Sequence, residues 1–160
     1  AILGQQITVK AATTIAGRFA DAFGEKIETP FPELKRLSPL AARVARARIE
    51  DVAKLGIISK RAASLIALAR AFESGALKLD AGASPEADIE KLMTLPGIGQ
   101  WTAHYVAMRA SRWPDAFPTG DIGVRNNLGG VSAKQADEIS QAWRPWRSYA
   151  VMHIWNDPPN

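Results

Sequence analysis

Leu95-Pro96-Gly97-Ile98-Gly99-Gln100-Trp101 joins two segments of helical pattern and is itself too rich in glycine and proline for helix. Gly97 and Gly99 can take positive φ and let another chain come close, with backbone N–H groups at the start of the next helix facing outward. Such a helix N-terminus attracts anions through its free N–H groups and its dipole. The chain has 20 Lys and Arg against 16 Asp and Glu, a net charge of +4, so the expected anion is a phosphate of nucleic acid. On the following helix Trp101, Tyr105 and Met108 fall at helical spacing, with His104 beside them. Taken alone, that spacing suits core aromatics. Asp121 precedes a short helical run, Ile122 to about Leu128, where aspartate is a good N-cap and the dipole favours its negative charge.

The elements that must position these residues are helical. No stretch sustains strand alternation, so the expected fold class is all-α. The pattern predicts a first helix from Ile2 to Phe23 with Gln5 and Gln6 near its start, an apolar stripe of Ala12, Ile15, Ala16, Phe19 and Phe23, and Gly24 as its stop. Short helices follow from Pro32 to Leu37, from Ser38-Pro39 to Ala45, and from Arg48 to Leu55, ended by Gly56. Ser59 is read as the cap of Lys60 to Ser74, with Ala63, Leu65, Ile66, Leu68, Ala69 and Phe72 apolar and Gly75 at its end. Leu77 to Ala83 reads as loop, and Pro85 to Leu92 as a helix capped by Ser84. The helix after the hairpin runs from Gln100 to about Arg112. Ser132 begins another, to about Trp143, and Pro145 begins the last, which Pro158-Pro159 terminates.

Composition narrows the classes. A length of 160 residues, 47% hydrophobic and 22% charged, suits one globular domain with a real core. The absence of cysteine excludes disulfides and any cysteine-ligated zinc or iron–sulfur centre. No apolar run reaches membrane-spanning length and no signal peptide is visible, so the expected compartment is the cytoplasm. Ala1 falls inside a helical pattern, which reads as a fragment of a longer chain. Arg43, Arg46 and Arg48 read as a solvated basic face, and Asp115 as a turn residue. Arg144 and Arg147 fit either a phosphate contact or a bridge in the core. His104 and His153 have no partner cluster that would suggest a metal.

The hairpin, the Gly/Pro-bearing loop Phe117-Pro118-Thr119-Gly120 and Asp121 together resemble the DNA glycosylase superfamily that carries a helix-hairpin-helix element. Three further stretches resemble its 3-methyladenine DNA glycosylase II branch. They are Ala1-Ile2-Leu3-Gly4-Gln5-Gln6, Gly99-Gln100-Trp101-Thr102-Ala103, and Trp143 to Ala150 followed by His153-Ile154-Trp155. The resemblance covers nearly the whole chain. It implies the superfamily's fold, a bundle of short helices around a base-binding cleft, over residues 1–160.

The resemblance also implies roles. Asp121 would be the catalytic carboxylate, and Trp101, Tyr105 and Trp155 would line the base pocket. Gly97, Gly99, Gln100, Trp101 and Thr102 would grip a phosphate, with Gln5 and Gln6 beside the DNA. Gln6 matches the wedge that fills the gap of an extruded base, a position that is apolar in close relatives. Main-chain carbonyls of Met93, Leu95 and Ile98 would hold a monovalent cation when DNA is bound; no other cofactor is implied. Trp101 stands where bifunctional relatives place a lysine nucleophile, so no β-lyase activity is expected. Gly120 stands where some relatives carry a second acidic residue. The expected partner is double-stranded DNA with alkylated bases, and the expected state a monomer. The competing readings are a non-catalytic helix-hairpin-helix clamp and a glycosylase of another base specificity.

Overall fold

The computed structural model describes residues 1–79 and 84–156. Residues 80–83 of the expected loop from Leu77 to Ala83, and the terminating Pro158-Pro159, lie outside the described residues. The described chain is helical, as the patterning predicts. It forms two compact units, Ala1–Lys78 with Leu95–Gly97, and Leu79–Thr94 with Ile98–Asn160.

The first unit opens with a 3-10 turn, Ile2–Gly4, followed by α1 (Val9–Phe23), α2 (Ala41–Ala45), α3 (Ile49–Ala53) and α4 (Ser59–Glu73). The single first helix expected from Ile2 onward is broken. Gln6 takes φ 55°, and Thr8 caps α1 by accepting from Ala11 N–H. The Thr8 hydroxyl offers the backbone a helix start, and the left-handed Gln6 prevents the preceding turn from joining it. Gly24 ends α1 with extended backbone, and a Cβ there would collide with the Leu37 and Ala20 carbonyls. The expected helix from Pro32 to Leu37 is absent; this segment turns back, pairing Lys26 with Arg36 as an isolated antiparallel bridge. Thr29 holds that turn through its hydroxyl, which donates to the Phe31 and Leu34 carbonyls.

Helices of five residues such as α2 and α3 cannot hold themselves in water. Both pack on α4, and the core formed there contains Phe19, Val44, Val52, Ile57, Ala62, Ile66 and Ala69. Complete burial of a Val or Ile side chain contributes about 1.5–3 kcal/mol, enough to fix helices this short. The buried face of α4 carries Ala62 rather than Ala63, and Ser59 is its first residue, not its cap. Arg43, Arg46 and Arg48 are exposed, as expected. Arg48, followed by Lys54, hydrogen-bonds Asp51 and pulls its carboxyl down to about 2.

The second unit contains α5 (Pro85–Met93), α6 (Gln100–Arg109), α7 (Ile122–Asn127), α8 (Ala133–Ser140), a 3-10 turn at Gln141–Trp143, and α9 (Arg147–Asn156). The caps read from sequence at Ser84 and Asp121 hold, their side chains accepting from the first turns of α5 and α7, and Ser132, read as the start of a helix, caps α8 in the same way. Helix α6 ends earlier than expected because Arg112 turns left-handed at φ 54°. Helices α5 and α6 pack together, and Ala103, Ala107 and Leu92 are fully buried. Helix α9 begins at Arg147, not Pro145. Ser148 pins the preceding loop there, donating from its hydroxyl to the Trp113 and Ala116 carbonyls and from its N–H to that of Pro114. Among the described residues, no helix is long and apolar enough to cross a membrane.

Candidate functional site

Three elements of the second unit place Asp121. The turn Pro118–Asp121 closes with a 2.8 Å backbone bond, which puts Asp121 at the N-terminus of α7. Helix α6 brings Trp101 and Tyr105, one turn apart on one face. Helix α9, packed on α7, brings Trp155, and Asn127 ties these two helices by donating to the Ile154 carbonyl.

Asp121 is 8% exposed, and both of its carboxylate oxygens are occupied. Oδ2 accepts from the Trp101 indole N–H at 2.6 Å. Oδ1 accepts from the Trp155 indole N–H at 3.0 Å and from Val124 N–H at 2.8 Å. All three contacts are donors, the set an ionised carboxylate accepts, and none is a formal cation. The capping role expected of Asp121 is held, and the same side chain meets the indoles of Trp101 and Trp155.

The aromatic rings form a continuous surface beside it. Trp101 stacks on Tyr105 with centroids 5.3 Å apart and planes 19° apart, and Tyr105 meets Trp155 at 6.0 Å. Arg109 lies over the Tyr105 ring at 5.8 Å. The three expected pocket residues are therefore brought together with Asp121, whereas Met108 is buried in the packing.

Gly123 is a contributor that sequence reasoning missed. A Cβ at this position would come within 3.2 Å of Asp121 Oδ1 and 3.6 Å of the Trp155 ring. The signal was a glycine inside a short helix, which costs about 1 kcal/mol relative to alanine and so calls for a reason.

The hairpin glycines differ from each other. Gly97 has φ +74°, and a Cβ there would overlap the Ser64 hydroxyl. Gly99 has extended backbone, φ −92° and ψ 177°, and a Cβ there would meet nothing within 4 Å. The expectation that both glycines serve a positive φ holds only for Gly97. Helix α6 starts at Gly99 without a side-chain cap, and Gln100 is exposed. Thr102 is buried, so its side chain faces the protein. Met93, Leu95 and Ile98 offer neutral main-chain carbonyls, a donor set that fits a monovalent cation better than a divalent one, which draws carboxylates. In the first unit Gln6 is exposed and Gln5 half-buried.

A second buried carboxylate, Asp115, was legible only as a turn residue. It does lie in a turn, and it also accepts from Arg147 Nε and the terminal NH2 group at 2.7 Å each and from Arg144 at 2.9 Å. Arg147 is 5% exposed, so the structure gives Arg147 the core bridge, whereas Arg144 is exposed and reaches Asp115 from the surface. Burial pushes the Asp115 carboxyl up, but the bonds to Arg147 and the charges of Arg147 and Arg144 outweigh it and hold it below the ordinary value. His104 accepts from Phe117 N–H through Nδ1 and stacks near Trp113. Burial, with the nearby Arg147 charge, lowers its pKa against the pull of Asp137.

Residues 1–148 match the family described as HhH-GPD superfamily base excision DNA repair protein. DNA-3-methyladenine glycosylase 2 of Escherichia coli is 37% identical over 155 residues, which is 97% of this chain and 54% of that protein. The chain thus spans about half the length of this curated relative. Among solved structures, the 3-methyladenine DNA-glycosylase of Archaeoglobus fulgidus superposes with a TM-score of 0.79 at 24% identity, over 96% of this chain and 54% of that one. Schizosaccharomyces pombe Mag1, solved in complex with abasic DNA, gives 0.79 at 22% identity, over 96% and 75%. Likeness at these identities shows the fold.

Proposed function

Because the chain belongs to the HhH-GPD superfamily of base excision DNA repair proteins, we propose that it is a monofunctional DNA glycosylase that releases alkylated purines of the 3-methyladenine type. The observation that carries this reading is the Asp121 carboxylate, held by three neutral N–H donors beside Trp101, Tyr105 and Trp155. A pure DNA clamp needs neither the carboxylate nor the aromatic surface.

A base stacked inside a duplex is out of reach, so it must be extruded first. Backbone N–H groups of Gly97, Gly99 and Trp101 would grip a phosphate, and the open space at Gly99 suits the close approach of another chain. Carbonyls of Met93, Leu95 and Ile98 would hold a monovalent cation that adds charge at the same phosphate. Gln6 would fill the gap left in the stack. The extruded base would lie on the aromatic surface, where stacking contributes about 1–3 kcal/mol per base and tolerates several shapes.

Alkylation at N3 or N7 makes the purine cationic, and a cation is drawn to π faces. It also makes the base a good leaving group. The N-glycosidic bond breaks with its electron pair leaving on the base. Positive charge develops on the sugar, and the Asp121 carboxylate stabilises it. Water adds at the anomeric carbon and loses its proton, leaving an abasic site. No lysine stands at the position two residues after Gly99; Trp101 does, with its indole tied to Asp121. The strand is therefore left uncut. The enzyme works on double-stranded DNA as a monomer.

The test is release of 3-methyladenine from alkylated duplex DNA by the wild-type protein and by Asp121→Asn, with binding to an abasic-analogue duplex measured beside it. Release that is lost in the variant while binding persists supports the reading. Binding without release from either protein replaces it with a non-catalytic clamp. Strand cleavage, or a borohydride-trapped adduct, overturns the monofunctional assignment.

A further inference from the structure

The break between the first 3-10 turn and α1 is held within the first unit by Arg61 and by the hairpin turn. Gln6 sits at its tip, exposed, with φ 55°. A glutamine adopts this conformation at a cost and keeps it only where its surroundings impose it. The residue before it is fixed twice. The Arg61 terminal NH2 donates to the Gln5 carbonyl, and Gln5 Nε2 donates to the Gly97 carbonyl at 3.0 Å. Arg61 and Ser64 lie one turn apart on the buried face of α4. Ser64 abuts Gly97 so closely that a Cβ there would overlap its hydroxyl. One face of α4 therefore fixes the Gln5–Gln6 loop at Arg61 and the hairpin turn at Ser64, and the Gln5 side chain joins the two. Arg61 Nε is a buried donor without a partner among the described residues, and the same guanidinium holds this loop through its terminal NH2.

We propose that Gln5 and Arg61 are positioning residues that tie the Gln6 loop to the hairpin, so that the wedge is presented in fixed register with the gripped phosphate. The inference rests on the glycosylase reading, in which Gln6 occupies the gap of the extruded base. A rigid tie lets the grip that anchors the strand also set where the wedge enters. Without it, the grip would persist and the wedge would wander.

The experiment compares Gln5→Leu, Gln6→Ala and the double variant. Gln5→Leu keeps the bulk and removes the donor to Gly97. Base opening is read from the fluorescence of a duplex carrying 2-aminopurine, and affinity from an abasic-analogue duplex, which needs no extrusion. Single-turnover base release and thermal unfolding are measured on the same proteins. The expected result is that Gln5→Leu lowers opening and release about tenfold, while affinity for the abasic-analogue duplex stays within about twofold. In the Gln6→Ala background, Gln5→Leu should then add nothing, because it acts through the missing side chain. Equal losses in opening and affinity would assign Gln5 to the hairpin alone and overturn the proposal. Additive effects, or an unchanged Gln5→Leu, would do the same. Wild-type protein that neither opens nor releases a base overturns the glycosylase reading and this inference with it. Wild-type activity with an indifferent Gln5→Leu overturns the inference alone.

Discussion

Asp115 and Asp121 lie on the same loop and are about equally buried, 6% and 8% exposed, yet they are held by opposite means. Asp115 faces two guanidinium groups, with Arg147 bidentate and Arg144 beside it. Asp121 faces two indole N–H groups and one backbone amide. A buried carboxylate needs donors at its oxygens in either case. Arginine partners also neutralise the charge, so Asp115 locks the loop to the start of α9 and has nothing left to offer a substrate. Neutral donors satisfy the oxygens and leave the charge uncompensated. A carboxylate that must stabilise a developing positive charge is better served by the second arrangement.

The contrast can be broken first at the arginine. Arg147→Met leaves Asp115 buried with only Arg144, and loss of one partner from a buried pair costs about 3–5 kcal/mol. Urea unfolding should register that loss, and a change below about 1 kcal/mol would show that the bridge is not structural. On the other side, Asp121→Asn should lower single-turnover base release by about 10²–10³-fold. Its stability should fall by only about 1–2 kcal/mol, since asparagine keeps the cap through its oxygen while its NH2 group leaves the Trp101 indole N–H without an acceptor. A stability loss as large as that of Arg147→Met would mean that Asp121 is a structural anchor like Asp115.

A finer cut separates the ring from the donor. Trp101→Phe keeps a ring against Tyr105 and removes the N–H at Asp121 Oδ2. The turnover number should fall about tenfold with KM little changed, the scale of one hydrogen bond to a charged group. A rise in KM with turnover intact would make Trp101 a stacking residue only. The smallest effect is in acid. The folded-state pKa of Asp115 is depressed, so its contribution to stability is complete above the unfolded value of about 3.8 and is lost as pH falls through the lower folded value. Unfolding midpoints of wild type and Asp115→Asn, followed downward from pH 5, should therefore converge.

Much of the Asp121 site was legible because its signals are local. An aspartate just before a short helical run reads as an N-cap, and the i, i+4 spacing of Trp101 and Tyr105 places both on one face. Trp155 could be assigned only through the family resemblance, since nothing in its neighbours points to Asp121. Asp115 was half legible: its turn is local, but its arginines lie 29 and 32 residues downstream. The Gln5–Gln6 break was misread partly for the same reason: Thr8 offered a local cap, but the bond that holds Gln5 comes from Arg61, 56 residues away, and the helical pattern ran straight through both. The turn at 32–37 failed differently. Its bridge to Lys26 is a pairing of backbones, and side-chain periodicity carries no record of it.

Two of the protein's five tryptophans hand their indole N–H groups to the same carboxylate. Indole emission responds to what that N–H touches and to charge close to the ring. The Asp121 site thus contains its own optical probe. Whatever moves the carboxylate, displaces a ring or brings a positive charge onto the aromatic surface becomes an event in the ultraviolet, readable in unlabelled protein with unlabelled DNA.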